Sequence, residues 1–314
     1  MSVLRKRLEA RQRLLERIRA FFTERGVLEV TTPVLGSAVD TEPRIEPFHT
    51  CFEGAGGNRV LYLQTSPEFH MKRLLAAGSG DIWQLARAFR QGEYGPRHNP
   101  EFSLLEWYRI GFDHHRLMGE VAELVNHCLE TELPVEKIAY RELFLQRFGW
   151  DPLEVGMEQL AASARNLNLD APLLEERDQW LDLFMGMVLE PELGRGRLTF
   201  VHGYPASKAS LARLDPVDPR TACRFELYLE GVELANGFHE LTDAGEQAAR
   251  FEADNRKRRA GGQAELPVDR KLIAALEQGL PESAGVALGV DRLLMLKTGA
   301  SSLEEVLSFP FPEA

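Results

Sequence analysis

Leu4, Leu8, Leu15, Ile18 and Phe22 recur at helical spacing, with Arg and Lys between them, which predicts an amphipathic helix over residues 3–25. Gly26 ends it, and a short strand follows from Val27 to Thr31, stopped at Pro33. Asn58 and the glycines before it form a turn, after which Arg59 to Gln64 alternates as a strand does. Ser66 can cap a helix and Pro67 suits a first helical position, so a helix is expected from there to about Leu75.

Asp81–Arg90 and Glu101–Ile110 are strand-like runs separated by a polar loop rich in Gly, Pro and Asn, Gln91–Pro100. They predict a long hairpin with a mobile tip. His114–Thr131 is helical. Residues 134–197 read as a mostly helical insertion with weak strand content, and Leu198–His202 returns to strand. Arg224–Leu229 and Val232–Phe238 form a second antiparallel pair, and Ala244–Ala260 is a charged helix. Val286–Val290 is an apolar strand running straight into a helix at Asp291–Leu296, where Asp291 is placed to cap. Hairpins with helices between them predict an α+β fold, an antiparallel sheet flanked by helices, and 314 residues suit one large domain or two small ones. Neither the dinucleotide fingerprint nor the Walker loop is present, so a nucleotide would need another geometry.

The hydrophobic share, 44%, and the charged share, 27%, are ordinary for a globular chain with a real core. No apolar run is long enough to span a bilayer. The charged N-terminal helix is unlike a signal segment, and Glu9, Glu16 and Glu24 argue against an organellar presequence. Cys51, Cys128 and Cys223 are far apart without metal spacing, which fits a reduced cytoplasm. The net charge of −11 disfavours a general nucleic-acid binder but leaves room for a local basic groove.

Chemistry concentrates in three places. Phe89-Arg90 ends one hairpin strand, and His98-Asn99-Pro100-Glu101-Phe102 opens the next. An Arg there can clamp a phosphate bidentately and Phe102 can stack on a base, although alone the pair reads more readily as a surface Arg and a core Phe. Gly285 to Arg292 runs strand into helix, with Gly289 allowing close approach to the backbone. Glu226 and Glu233 lie on adjacent strands of the second hairpin, where facing carboxylates repel unless a cation separates them; Mg²⁺ on ATP phosphates is the natural candidate. Glu240, at the strand's end, would suit an ammonium ligand.

Together these clusters resemble class II aminoacyl-tRNA synthetases. Thr32-Pro33, Phe89-Arg90 with His98 to Phe102, and Gly289-Val290-Asp291-Arg292 look like that family's motifs 1, 2 and 3. Thr65 to Glu68, Leu104 to Tyr108 and Glu233 to Leu241 are similar to the lysyl-tRNA synthetase core. Motif 1 begins close to Met1, so no anticodon-reading barrel is expected, and the resemblance implies a single domain over 1–314. The truncated paralogues with this layout are the elongation factor P lysine ligases, which attach β-lysine to a lysine side chain of elongation factor P.

The resemblance implies roles. Arg90 holds the α-phosphate of ATP and Arg292 the γ-phosphate, with adenine between Phe102 and Arg292. His98 and Asn99 belong to the loop that closes over ATP; Gln91, Gly92, Leu234 and Gly289 join the nucleotide set. Glu226 and Glu233 hold Mg²⁺. Glu68 and Glu106 face the amino group near the substrate's carboxyl end, with Ser66 and Pro67 beside them. Tyr108 and Glu240 receive the side-chain ammonium, and Asn236 contacts the carboxylate. Two residues depart from the family. Gly92 stands where it has Glu, for which Glu93 substitutes if the loop shifts. Ala287 stands where lysyl synthetases have Gly, a methyl that would suit a β-amino acid. The expected reaction is adenylation of lysine or β-lysine and transfer to elongation factor P by a homodimer. A minimal tRNA-charging enzyme, a non-catalytic amino-acid-binding paralogue and a small-metabolite ligase are the competing readings.

Overall fold

The computed structural model describes residues 3–169 and 174–314. Helix α1 (Val3–Glu24) buries Leu14, Ile18, Phe21 and Phe22 and leads through β1 (Leu28–Glu29) into a small sheet of β2 (Leu35–Gly36), β3 (His49–Phe52) and β4 (Arg59–Leu63). Helix α2 (Glu68–Ala76) precedes the hairpin β5 (Ile82–Phe89) and β6 (Glu101–Ile110), and α3 (His114–Leu129) follows. The segment 134–197 holds β7 (Val135–Ala139), α4 (Tyr140–Phe148), α5 (Met157–Asn166) and α6 (Arg177–Phe184). Then come β8 (Leu198–Pro205), β9 (Thr221–Leu229), β10 (Val232–His239), α7 (Ala244–Ala260), α8 (Arg270–Gly279), β11 (Ser283–Gly289) and α9 (Val290–Thr298).

Eight strands form the main sheet in the order β1-β5-β6-β11-β10-β9-β8-β7. The six central strands are antiparallel, and each edge strand joins in parallel, β1 on β5 and β7 on β8. The expected α+β class and the sheet flanked by helices are both present. The expected hairpin forms with Ile82 opposite Tyr108 and Phe89 opposite Glu101, and Arg90 N–H closes it on Pro100 O at 2.9 Å.

One face of the sheet packs on α1, α3 and α9. Phe22 stacks on Trp83 with centroids 5.0 Å apart and meets Trp107 edge-on, and Trp107 Nε1 donates to Glu120 Oε1 at 3.0 Å. Aromatic rings of this size bury much of the apolar surface that holds α1 and α3 to the sheet. The 134–197 segment has its own aromatic core. Tyr140, Phe144, Trp150, Trp180 and Phe184 pack on Val201, Tyr204 and Tyr228 of β8 and β9. It begins with a strand of the main sheet, and the expected helices follow.

Two local expectations need correction. Pro67 is the N-cap and α2 starts at Glu68, whose N–H reaches Ser66 Oγ at 3.4 Å. Asp291 is inside α9, which Gly289 precedes as N-cap. Its carboxylate instead accepts from Arg11 Nη1 at 2.6 Å and Ser103 N at 2.7 Å. A buried carboxylate with two donors is worth more as a tie between α1, β6 and α9 than as a cap.

Candidate active site

The other face of the sheet forms the floor of a cavity of about 600 Å³. Strand alternation builds that floor. On β6, Phe102, Leu104, Glu106 and Tyr108 line the cavity while Leu105 and Trp107 enter the core behind. On β11, Gly285, Ala287 and Gly289 face it; on β10, Asn236 and Phe238 do, with Glu240 just past its end. Register sets these residues in rows. Glu106, Ala287, Asn236 and Glu226 lie side by side on four successive strands. The next row is Tyr108, Gly285, Phe238 and Arg224.

One end of the cavity is acidic and closed. Tyr108 Oη donates to Glu106 Oε1 at 2.7 Å. Lys72 Nζ lies 2.6 Å from both Glu68 Oε1 and Glu240 Oε2. Two carboxylates thus share one internal ammonium, and Glu106 Oε2, nearby, is buried without a hydrogen-bond partner among the described residues. Burial, reinforced by Glu68, pushes Glu240 up to about 7 despite Lys72. Burial and Glu68 raise Glu106 well above the usual carboxylate range. Asp40, from the loop before β3, adds a further acid, raised to about 7 by burial and Glu68. Gly285 is required here: a Cβ would come within 2.3 Å of the Tyr108 ring and 2.6 Å of Glu240 Oε1.

The other end carries guanidinium groups. Arg90 lies over the Phe102 ring with Cζ 5.0 Å from its centroid, and pairs with Glu93 at 3.6 Å. Arg292 donates to Glu233 O at 2.8 Å and Arg97 O at 3.1 Å, and its Nη2 sits 2.8 Å from His98 Nε2. Burial and the charge of Arg292 lower the pKa of His98, so its ring is neutral and can accept. The hairpin tip is thus folded down onto Arg292. A Cβ on Gly289 would meet only Arg292 carbons, at 3.6 Å or more. Protein packing does not demand glycine there, whereas a group lying on the backbone would.

Between the ends stand Glu190, Glu226 and Glu233. The expected facing pair is corrected by the register: Glu226 lies opposite Asn236, and Glu233 opposite Tyr228, with a bulge between Glu233 and Ala235. Glu226 accepts from Tyr204 Oη at 2.6 Å, from Tyr228 Oη at 2.5 Å and from Arg224. Burial alone would raise it, but Arg224 and the two hydroxyls hold it below the usual range. Glu233 is raised by burial and by Glu226, and Arg292 approaches its carboxylate only to 3.6 Å. Burial and Glu233 push Glu190 up to about 7.

Of the residues singled out from sequence, Ser66, Glu68, Arg90, His98, Asn99, Phe102, Glu106, Tyr108, Glu226, Glu233, Leu234, Asn236, Glu240, Gly289 and Arg292 all line this cavity. Gln91, Gly92 and Pro67 do not. Gln91 N–H turns away to Glu46 O at 2.7 Å, Gly92 takes a left-handed turn at φ +81°, and Pro67 is spent starting α2. Asp40, Lys72, Tyr140, Asp182 and Glu190 were not singled out. Lys72 alone had a local signal, its spacing of four from Glu68 on one helix face.

The profile of the class II tRNA synthetases (D, K and N) matches residues 1–313. The elongation factor P–(R)-β-lysine ligase of Vibrio cholerae is 52% identical over 98% of this chain and 96% of its own. The protein of that name from Klebsiella pneumoniae is 50% identical, and that from Edwardsiella ictaluri 51%, each over 97% of this chain and 94% of its own. The profile, the near-complete span of these relatives and the arrangement of sheet and arginines agree: the chain belongs to the class II tRNA synthetase family of the D, K and N type.

Proposed function

We propose that this chain is an AMP-forming ligase that activates (R)-β-lysine or lysine with ATP and transfers it to a lysine side chain of elongation factor P. The observation that carries this reading is the charge imbalance in the closed end of the cavity. Glu68, Glu106 and Glu240 face one internal ammonium, Lys72, and Glu106 Oε2 lacks a partner among the described residues. Such an imbalance in a buried site is costly until cations enter, and a diamino acid brings two ammonium groups. In this reading Glu240 and Tyr108 take the side-chain ammonium, and Glu68 and Glu106 the amino group nearer the carboxyl. Asn236, in the row beside Ala287, then holds the carboxylate facing the arginine end.

Arg90 neutralises charge at the α-phosphate and Arg292 at the γ-phosphate, while the base lies by Phe102. Little covalent chemistry falls to the protein: it aligns the carboxylate with the α-phosphorus and stabilises developing charge. Glu233 is loosely held and close to Glu226 and Glu190, a donor set of hard oxygens that fits Mg²⁺. Mg²⁺ there would offset phosphate charge. Glu226 keeps little free capacity, since three donors already occupy its carboxylate.

No helix among the described residues is long and apolar enough to cross a membrane, which accords with action in the cytoplasm. A homodimer formed through α1 would cover Val3, Leu4 and Leu8, which are exposed. The test is an acceptor assay with labelled (R)-β-lysine and ATP. Label should enter elongation factor P and not a variant lacking its acceptor lysine. Label in tRNA, or in neither, overturns the proposal.

A further inference from the structure

On the face of the sheet turned away from the cavity, β9 and β10 present Cys223 and His239, and α3 lays His114 over them. One donor atom from each of the three lies within 4.8 Å of the others. We propose that His114, Cys223 and His239 form a binding site for a divalent transition metal ion, Zn²⁺ by the nature of its donors, separate from the substrate cavity.

Three observations support it. First, His114 is only 7% exposed and its Nδ1 is buried without a hydrogen-bond partner among the described residues. A buried ring nitrogen normally finds a partner, and one without any, on a ring that clusters with a thiol and a second imidazole, is available to a metal ion. Second, the donor set is two imidazoles and one thiol, which suits Zn²⁺ and excludes Mg²⁺ and Ca²⁺. Tetrahedral ligands on zinc lie about 3.3–3.8 Å apart, given Zn–N near 2.0 Å and Zn–S near 2.3 Å. The three donors need to close by roughly an ångström, within reach of side-chain rotation. Third, His239 Nε2 lies 3.2 Å from Glu282 Oε2, and Glu282 is itself held by Arg213 at 2.8 Å. A carboxylate on one ring nitrogen fixes the tautomer and raises the basicity of the other.

Protonation sets a pH dependence for this site. Burial first, then the neighbouring His115 and His239, push His114 down to about 3, so its lone pair is free at neutral pH. Burial pushes the Cys223 thiol up to about 11. Binding therefore forms a metal–sulfur bond as the thiol proton leaves to solvent, and affinity should rise with pH.

The test uses the full-length protein, stripped with chelator and titrated with Co²⁺, then Zn²⁺. Expected is one Co²⁺ per chain, with tetrahedral visible bands and a near-ultraviolet thiolate band, all bleached by Zn²⁺. Cys223→Ser should abolish the thiolate band, and His114→Gln should weaken binding by about tenfold or more, since loss of a ligand costs at least what loss of an outer-shell partner does. X-ray absorption on the zinc-loaded wild-type protein should find one sulfur in the first shell, a reading that needs no variant to fold. No stoichiometric binding, a shell without sulfur, or a thiolate band that survives Cys223→Ser overturns the proposal.

Discussion

The ammonium of Lys72 lies 2.6 Å from the carboxylate of Glu240, both fully buried, so the group expected to meet a substrate ammonium already holds an internal one. Glu240 is not thereby spent. Lys72 is shared with Glu68, so Glu240 has only part of that ammonium's charge. Lys72 keeps one negative charge tolerable in the empty pocket and leaves the remainder for the ligand.

Lys72→Met should therefore destabilise the protein by about 3–5 kcal/mol at neutral pH, the cost of leaving buried carboxylates unpaired. Chemical denaturation at pH 7.5 and near pH 5 checks this. The loss should shrink at the lower pH, where Glu240 is protonated; a loss under about 1 kcal/mol at pH 7.5 would count against a shared buried pair.

The acidic pocket also sets a pH dependence. Asp40 and Glu240 have folded pKa values of about 7, above their ordinary values of 3.8 and 4.5. Groups with raised folded pKa bind protons more tightly when folded. Their contribution to stability is full below about 4 and is lost as pH rises through about 7. A diamino acid supplies the missing positive charge only when the carboxylates are ionised. The rise in melting temperature on adding β-lysine should be larger at pH 8 than at pH 6, as thermal melts would show.

Arg292 uses its fork to grip Glu233 O, Arg97 O and His98 at once. Lysine cannot reproduce that planar set of donors. Arg292→Lys should lower kcat/KM for adenylate formation by about a hundredfold, roughly 2.7 kcal/mol, with fold and melting temperature kept. Steady-state kinetics in ATP would read this directly.

Ala287 lies between Glu106 and Asn236 in the cavity floor. Ala287→Gly removes a methyl next to the substrate backbone and should shift the ratio of kcat/KM for α-lysine over (R)-β-lysine upward by about tenfold, the usual worth of one such group. An unchanged ratio would remove Ala287 from the specificity set.

The hairpin and the antiparallel sheet were legible from strand alternation, while the cavity residues on β6, β10 and β11 were singled out by their resemblance to class II synthetase motifs. What escaped comes from tertiary assembly. Asp40 lies in a loop without periodicity, and Tyr140, Asp182 and Glu190 reach the cavity only because 134–197 packs on β8 and β9. The turn sets Leu229 opposite Val232, so Glu233 faces Tyr228 and not Glu226, and the bulge at Leu234 then places Glu226 opposite Asn236. Strand β2, of two residues, is too short to show a period, and the strand expected over Val27 to Thr31 is present only as the two-residue β1.

ATP–pyrophosphate exchange, run with (R)-β-lysine and with the same acid lacking its terminal amine, reads the acidic pocket most directly. Exchange should depend on the amine by about a thousandfold or more, because a buried carboxylate without its partner rejects the analogue. It should also fall at least about tenfold in Glu240→Gln, roughly 1.4 kcal/mol. Equal exchange with the two acids, or a Glu240→Gln enzyme as active as wild type, would contradict the assignment of this pocket to a substrate ammonium.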